Sequence, residues 1–415
     1  MPILNPRIRR HLVRIFIFIL FLFVLDASFL HYRSSPSKDP ALRSQSAQAY
    51  TATKQTPQSQ RIFIASTHWN NEIVLRSHWN AAVIQLAASL GPENVYVSIV
   101  ESGSYDNTKG ALLELDYYLG QLKINRTISL SEATHQDAIM REPEEGEKGW
   151  IETPRGRKEL RRIPFLSRER NESLKPLALL EREIGLRFDK ILFLNDINDD
   201  FFTLLDTNQG SYAAACALDF SKPPAFYDTF ALRDSEGHEA MMQTWPYFRA
   251  DESRHALERG DIVPVKSCWN SMVIMDATPF YDTVSPLRFR GISDSLAMQH
   301  LEGSECCLIH ADNPLSGKKG VWLNPNVRVA YNGKAYDTVH PANEREWITS
   351  WQKLIGRWES RIRRWVTSDV VKFRTVFHRL RNWQKEKPGE KRVEAGDFCL
   401  IDEMHIIVSI GWAHV

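Results

Sequence analysis

The run ILFLNDINDD, residues 191–200, passes from large apolar side chains to the carboxylates Asp196, Asp199 and Asp200. Asp196 and Asn198 form a D-x-N pair. Carboxylate and amide oxygens are what a hard divalent cation takes, with phosphate oxygens completing its shell, so this pair reads as a site for Mn²⁺ or Mg²⁺. The ordinary alternative is that Asp199 or Asp200 caps a helix beginning at Phe201. The spacing allows both, with Asp196 for the ligand and Asp199 for the cap. A second chemical stretch is ESGSYDNT, 101–108. Glu101, Ser102 and Asp106 can accept hydrogen bonds from a base or ribose, beside a helix N-terminus where Gly103 leaves room for close approach. Capping by Asn107 or Asp106 explains the same residues without a ligand. In SRERNESLKPL, Arg170 offers a planar fork suited to a diphosphate. A third set is AFYDTFALRD (225–234), CWNSM (268–272) and SECCLI (304–309). Its mixture of polar groups and aromatics suits sugar hydroxyls and sugar faces, though any one of the three also suits a satisfied buried network. Here Glu305, Asp228 and Asp234 are the candidate catalytic groups, and Arg233, Trp269 and Asn270 the candidate sugar-binding ones.

These groups need a scaffold, and the pattern supplies one. RIFIAST (61–67), NVYVSIVES (94–102) and DKILFLND (189–196) read as strands. Residues 71–91 carry apolar groups at helical spacing and stop at Gly91; 107–122 and roughly 170–185 also read as helices. KINRTISL (123–130) is extended, and the charged stretch 141–162 reads as a surface loop. Alternating strand and helix implies an α/β fold with a mostly parallel sheet, whose ligands bind beyond the carboxyl ends of the strands. The opening carboxylates lie at that edge. YAAACALDF (212–220), VKSCWNSMVIMDA (265–277), SECCLIHAD (304–312) and GVWLNPNVRVAYN (320–332) read as further strands. Residues 343–386 read as helical, with Trp347, Trp351, Trp358 and Trp365 on one stripe among basic residues. That stripe suits packing against the domain, or a membrane surface.

A chain of 415 residues that is 43% hydrophobic can bury a large core. Its net charge of +1 gives no field to attract nucleic acid. At the N-terminus Arg7, Arg9, Arg10 and Arg14 precede an apolar stretch at 15–30. As a helix that stretch spans about 24 Å at ~1.5 Å per residue, short but sufficient for an early secretory bilayer. The reading is a cytoplasmic tail (1–14), an uncleaved signal anchor (15–30), a polar disordered stalk (31–60), a luminal catalytic domain (61–340) and a C-terminal helical extension (341–415). A cleaved signal peptide is the rival. The sequons at Asn125 and Asn171 suit a lumen, and five cysteines there allow a disulfide whose pairing is not legible.

ESGSYDNT resembles the DDGSTDNT turn of nucleotide-sugar glycosyltransferases. Together, ESGSYDNT, RERNESLKPL, ILFLND, FYDTFALRD, SCWNS, SECCLIHAD and WLNPNVRVAY resemble the fungal capsule-associated α-1,3-mannosyltransferase family, over roughly 61–335. The resemblance implies a GT-A-like fold, single-pass type II anchoring in the Golgi or endoplasmic reticulum membrane, and transfer of mannose from GDP-mannose to a mannoside. It implies a donor site at Glu101, Ser102, Asp106, Arg170 and Asp196. Ser271 departs from the pattern, since glycine is expected after Trp-Asn, and its hydroxymethyl group narrows the acceptor site. A UDP-sugar donor and a non-catalytic luminal lectin are the competing readings. A glycoside hydrolase leaves ESGSYDNT and the Arg-Asn segment without a role.

Overall fold

The computed structural model describes residues 60–194, 200–341, 346–366, 370–387 and 391–415, with scattered positions between 10 and 28. Half of the expected anchor and nearly all of the stalk lie outside the described residues. Among the described residues no helix is long and apolar enough to cross a membrane.

Strands β1 (Ile62–His68), β2 (Val95–Glu101) and β3 (Asn125–Leu130) lie parallel, and β6 (Lys190–Leu194) joins β1 on its other side. Between β2 and β6 in sequence comes a small hairpin of β4 (Trp150–Glu152) and β5 (Lys158–Leu160). The main sheet continues through β7 (Ala214–Lys222), β8 (Ala225–Phe226), β9 (Arg233–Asp234), β10 (Val263–Ser267), β11 (Met272–Asp276) and β13 (Val321–Ala330), in the order β3-β2-β1-β6-β11-β7-β13-β10-β9 with β8 on β7. Only β8, β10 and β11 run against the rest, so the sheet is mixed and mostly parallel, as expected. The short strand β12 (Glu302–Gly303) pairs with β14 (Leu400–Ile401), while β15 (His405–Ile407) pairs with β16 (Trp412–His414).

Helices α1 (Asn80–Leu90), α2 (Thr108–Gln121), α3 (Arg162–Ser173), α4 (Lys175–Ile184), α5 (Asp251–Arg259), α6 (Glu305–Asp312), α7 (Ser350–Val366) and α8 (Val370–Lys385) cover the sheet and extend it. Along β1, Ile62 and Ile64 enter one core with Val83 of α1 and Leu112 and Leu115 of α2; Phe63 and Ala65 enter another with Leu177 of α4 and Leu257 of α5. Successive strand residues point to opposite faces, so a continuous apolar run is what a sheet buried on both sides requires. A third core joins Leu308 of α6 to Leu380 and Trp383 of α8 and to Cys399.

Two segments differ from expectation. SECCLIHAD is a helix, not a strand: the Ser304 hydroxyl caps α6 by accepting from the Cys306 N–H at 3.2 Å. Glu305 through His310 are all buried, and a helix buried on every side shows no helical period in its sequence. The stretch 141–162, expected as a surface loop, contains the β4–β5 hairpin with Trp150, Ile151 and Leu160 buried. It leads into Arg161, fully buried and paired with Asp294 at 2.9 Å and Glu302 at 2.7 Å.

Within the stretch 343–386 the described residues 350–366 and 370–385 are helical, and of its tryptophans Trp347 packs on the core while Trp351 and Trp365 are exposed. Two disulfides form, Cys216–Cys268 and Cys307–Cys399, leaving Cys306 free and buried. Asn171 of the second sequon spends its amide on the main chain of Phe289, at 2.8 and 3.0 Å.

Candidate active site

Register gathers the chemistry on one edge of the sheet. His68 lies opposite Glu101, Met272 opposite Leu194, and Val329 opposite Asp219. The turn Trp269–Ser271, which enters the antiparallel β11, is therefore delivered to the edge where β1, β2, β6 and β7 end. Cys216–Cys268 ties that turn to β7.

Helix α3 presents Arg162, Glu169 and Arg170 on one face, as the seven- and eight-residue spacing dictates. The Arg170 Nε donates to Glu305 Oε1 at 3.0 Å, and its guanidinium stacks 4.4 Å from the Trp269 ring and 5.8 Å from Phe289. Glu305 sits in the first turn of α6, where the helix dipole favours a carboxylate. The Cys306 thiol shares Oε1 at 3.3 Å. Oε2 has no hydrogen-bond partner among the described residues. Arg162 lies 4.3 Å from the Trp412 ring and 5.9 Å from Phe230. Burial lowers its pKa, against the opposing pull of the Glu305 and Asp228 charges.

Asp228 completes this cluster. It accepts from the backbone N–H groups of Ala231 and Asn270, each at 3.3 Å. Burial raises its pKa and the neighbouring Glu305 charge adds to the rise, while those N–H groups oppose it. Asn270 and Ser271 have φ of 56° and 60°. The left-handed backbone is the physical reason a glycine is expected at 271. The serine there hydrogen-bonds the Tyr331 hydroxyl at 2.9 Å and Asp219 at 3.4 Å.

The β2 end is built differently. Glu101 is fully buried and accepts from the backbone N–H groups of Ser104 and, at 3.2 Å, Ser131. The Ser102 N–H donates to the His68 carbonyl at 2.9 Å, and burial raises the pKa of Glu169, against the opposing effect of the Ser102 hydroxyl. Beside them Trp69 stacks on His135 at 4.4 Å. Trp69 Nε1 and His135 Nδ1 are buried without a partner among the described residues. Asp106 accepts from the N–H groups of Thr108 at 3.1 Å and Glu72 at 3.0 Å, which is capping work.

Of the predicted groups, Arg170, Asp228, Trp269, Asn270 and Glu305 come together; Glu101 and Ser102 line the neighbouring strand end. Asp234 and Arg233 face elsewhere. Asp234 accepts from the N–H groups of Glu236, His238 and Ala250 at 2.8–3.0 Å. Arg233 is spent on main-chain carbonyls, those of Phe230, Leu232, Phe398 and Cys399. The cation beside Glu305 is Arg170. Asp196 and Asn198 lie outside the described residues. As donors they supply oxygen only, the ligand type of Mn²⁺ or Mg²⁺. Sequence reasoning missed Arg162, Glu169, Trp69 and His135. The helical spacing of 162, 169 and 170 was the available signal for the first two.

At this edge of the sheet lie a buried carboxylate, two arginines and stacking aromatics, and the family comparison makes the chain a glycosyltransferase. The family model described as cryptococcal mannosyltransferase 1 matches residues 61–312, and the chain belongs to that family. No curated protein matches the chain. Among solved structures, the mannosyltransferase PcManGT of Pyrobaculum calidifontis, in complex with GDP-Man and Mn²⁺, is 11% identical with a TM-score of 0.35, covering 80% of this chain and 76% of that one. S. aureus TarS 1-349 is 14% identical at a TM-score of 0.31, covering 66% and 59%. GalNAc-T7 with UDP, GalNAc and Mn²⁺ is 9% identical at 0.38, covering 66% and 44%. The chain thus spans less than two thirds of the TarS and GalNAc-T7 chains. The overlaps are loose, and the assignment stands on the family match.

Proposed function

We propose that this chain transfers mannose from GDP-mannose to a mannoside, forming an α-1,3 linkage with retention, as a type II enzyme of the Golgi or endoplasmic reticulum membrane. The observation that carries the reading is the Arg170–Glu305 pair on the ligand edge, with one carboxylate oxygen left uncommitted. An α-linked donor giving an α-linked product removes the need for a base that activates the acceptor from the opposite face. It calls for negative charge near the anomeric carbon as positive charge develops there, and Glu305 supplies it. Arg170 keeps its two Nη groups for the leaving diphosphate, on a ring platform that fixes the guanidinium plane. Charge neutralisation at that diphosphate is what a divalent cation bound at Asp196 and Asn198 would supply. Glu101, Ser102 and Trp69 frame the nucleoside end, and Trp269 and Asn270 the sugar. The 15–30 stretch anchors the chain in this reading, with the catalytic domain luminal.

Melting curves of the full chain with nucleotides test the donor, because a ligand that binds only the folded state raises its stability. GDP with Mn²⁺ is expected to stabilise and UDP not to. The opposite pattern rejects GDP-mannose, and stabilisation by neither rejects a nucleotide-sugar site.

A further inference from the structure

The C-terminal hairpin holds a cluster that the transfer reaction does not use. Register sets His405 directly opposite His414 across β15 and β16. Glu403 lies two residues before His405, just outside β15. The Glu403 carboxylate is 2.5 Å from His405 Nε2 and 3.3 Å from His414 Nδ1. One donor atom from each residue falls within 4.8 Å of the others. His405 is buried, and its Nδ1 has no partner among the described residues.

We propose that Glu403, His405 and His414 bind a divalent transition-metal ion of the zinc type. Two imidazoles and one carboxylate are borderline donors, suited to zinc and poorly suited to Mg²⁺, which prefers oxygen alone. Metal–ligand bonds of about 2.0–2.2 Å put tetrahedral donors about 3.3 Å apart, the Glu403–His414 separation, and the Glu403–His405 contact needs to open by less than an ångström. The Glu403 carboxylate faces one nitrogen of each ring. A cation satisfies all three at once and leaves a fourth position open on the exposed side of His414.

The ion has a consequence for the pocket. It pins β16, whose Trp412 ring lies 4.3 Å from the Arg162 guanidinium, and the Glu305 charge acts on Arg162. It is thus a clamp on one wall of the site, and it does not depend on which sugar nucleotide is used.

The test uses the full chain, purified without a histidine tag and stripped by dialysis against a chelator. Zinc is then titrated, with bound metal measured by mass spectrometry and stability by melting. The wild type is expected to take up one zinc per chain and melt several degrees higher. His414→Ala, at an exposed position where folding is not at risk, is expected to lose that uptake and that rise while its melting response to GDP with Mn²⁺ persists. Glu403→Gln is expected to weaken zinc binding at least about tenfold, as removal of a ligand charge requires. No zinc above the buffer blank in the wild type, equal zinc in His414→Ala, or equal affinity for Mg²⁺ would each overturn the proposal.

Discussion

The turn around Glu101 and the pocket around Glu305 both bury a carboxylate, and they use it in opposite ways. Glu101 gives its oxygens to hydrogen bonds from the N–H groups of Ser104 and Ser131, with the Lys109 ammonium 4.0 Å away, so its charge organises a loop. Glu305 gives one oxygen to the side chains of Arg170 and Cys306 and keeps the other. A buried charge must be paired or hydrogen-bonded in either case. What differs is whether the partner is main chain, which cannot leave, or a side chain that a substrate can share. Asp234, with three N–H donors, belongs with Glu101 in this respect.

The comparison breaks most visibly at Glu305. Glu305→Gln is expected to lower turnover about 10²-fold or more, the scale of losing one electrostatic group at a reacting centre. GDP binding, followed by calorimetry, should weaken far less. Glu101→Ala should invert the pattern. It strands buried N–H groups at about 1–3 kcal/mol each, so melting falls by several degrees, while kcat of the folded enzyme changes much less than for Glu305→Gln. Equal turnover losses in the two variants would erase the distinction.

Acidification sharpens it from another side. Burial holds His68, beside Glu101, and His310, in α6, at about 4, below the ordinary 6.5. Unfolded chains bind these protons below 6.5 and the folded chain does not until about 4. Stability from this source is therefore complete above 6.5 and lost as pH falls from there toward 4. Melting temperatures across that window should fall, and His68→Phe should flatten the dependence.

The smallest expected effect is at Ser271. Its φ of 60° costs an L-residue roughly 1 kcal/mol, which Ser271→Gly relieves while losing the Tyr331 and Asp219 contacts. Ser271→Ala keeps the strain and loses the contacts. The alanine variant should melt below the glycine variant by about one to two degrees, and a reversed order would mean that backbone strain does not set the preference at 271.

Strands β1, β2 and β6 were legible because continuous apolar runs with helical segments between them specify a sheet buried on both faces. Helix α6 was not, because a helix buried from Glu305 through His310 shows no clear period, and Ser304 with Glu305 were its only start signals. The β4–β5 hairpin hid in a charged stretch whose buried residues, Trp150, Ile151 and Leu160, are too few to set a pattern. Arg170 and Glu305 were each picked out by type. Their pairing was invisible, because 135 residues separate them and only the fold brings them together. Arg233 was chosen for its charge, yet four main-chain carbonyls claim it.

The most direct measurement replaces the ion pair as a unit. Arg170→Met with Glu305→Leu removes both charges together, a change that buried pairs often tolerate without loss of stability. Turnover with GDP-mannose and an α-mannoside, read beside the melting temperature, separates a chemical pair from a structural one. The expected result is a protein that melts within a few degrees of the wild type and turns over at least about 10²-fold more slowly. A paired variant that melts normally and transfers mannose at the wild-type rate would contradict the account.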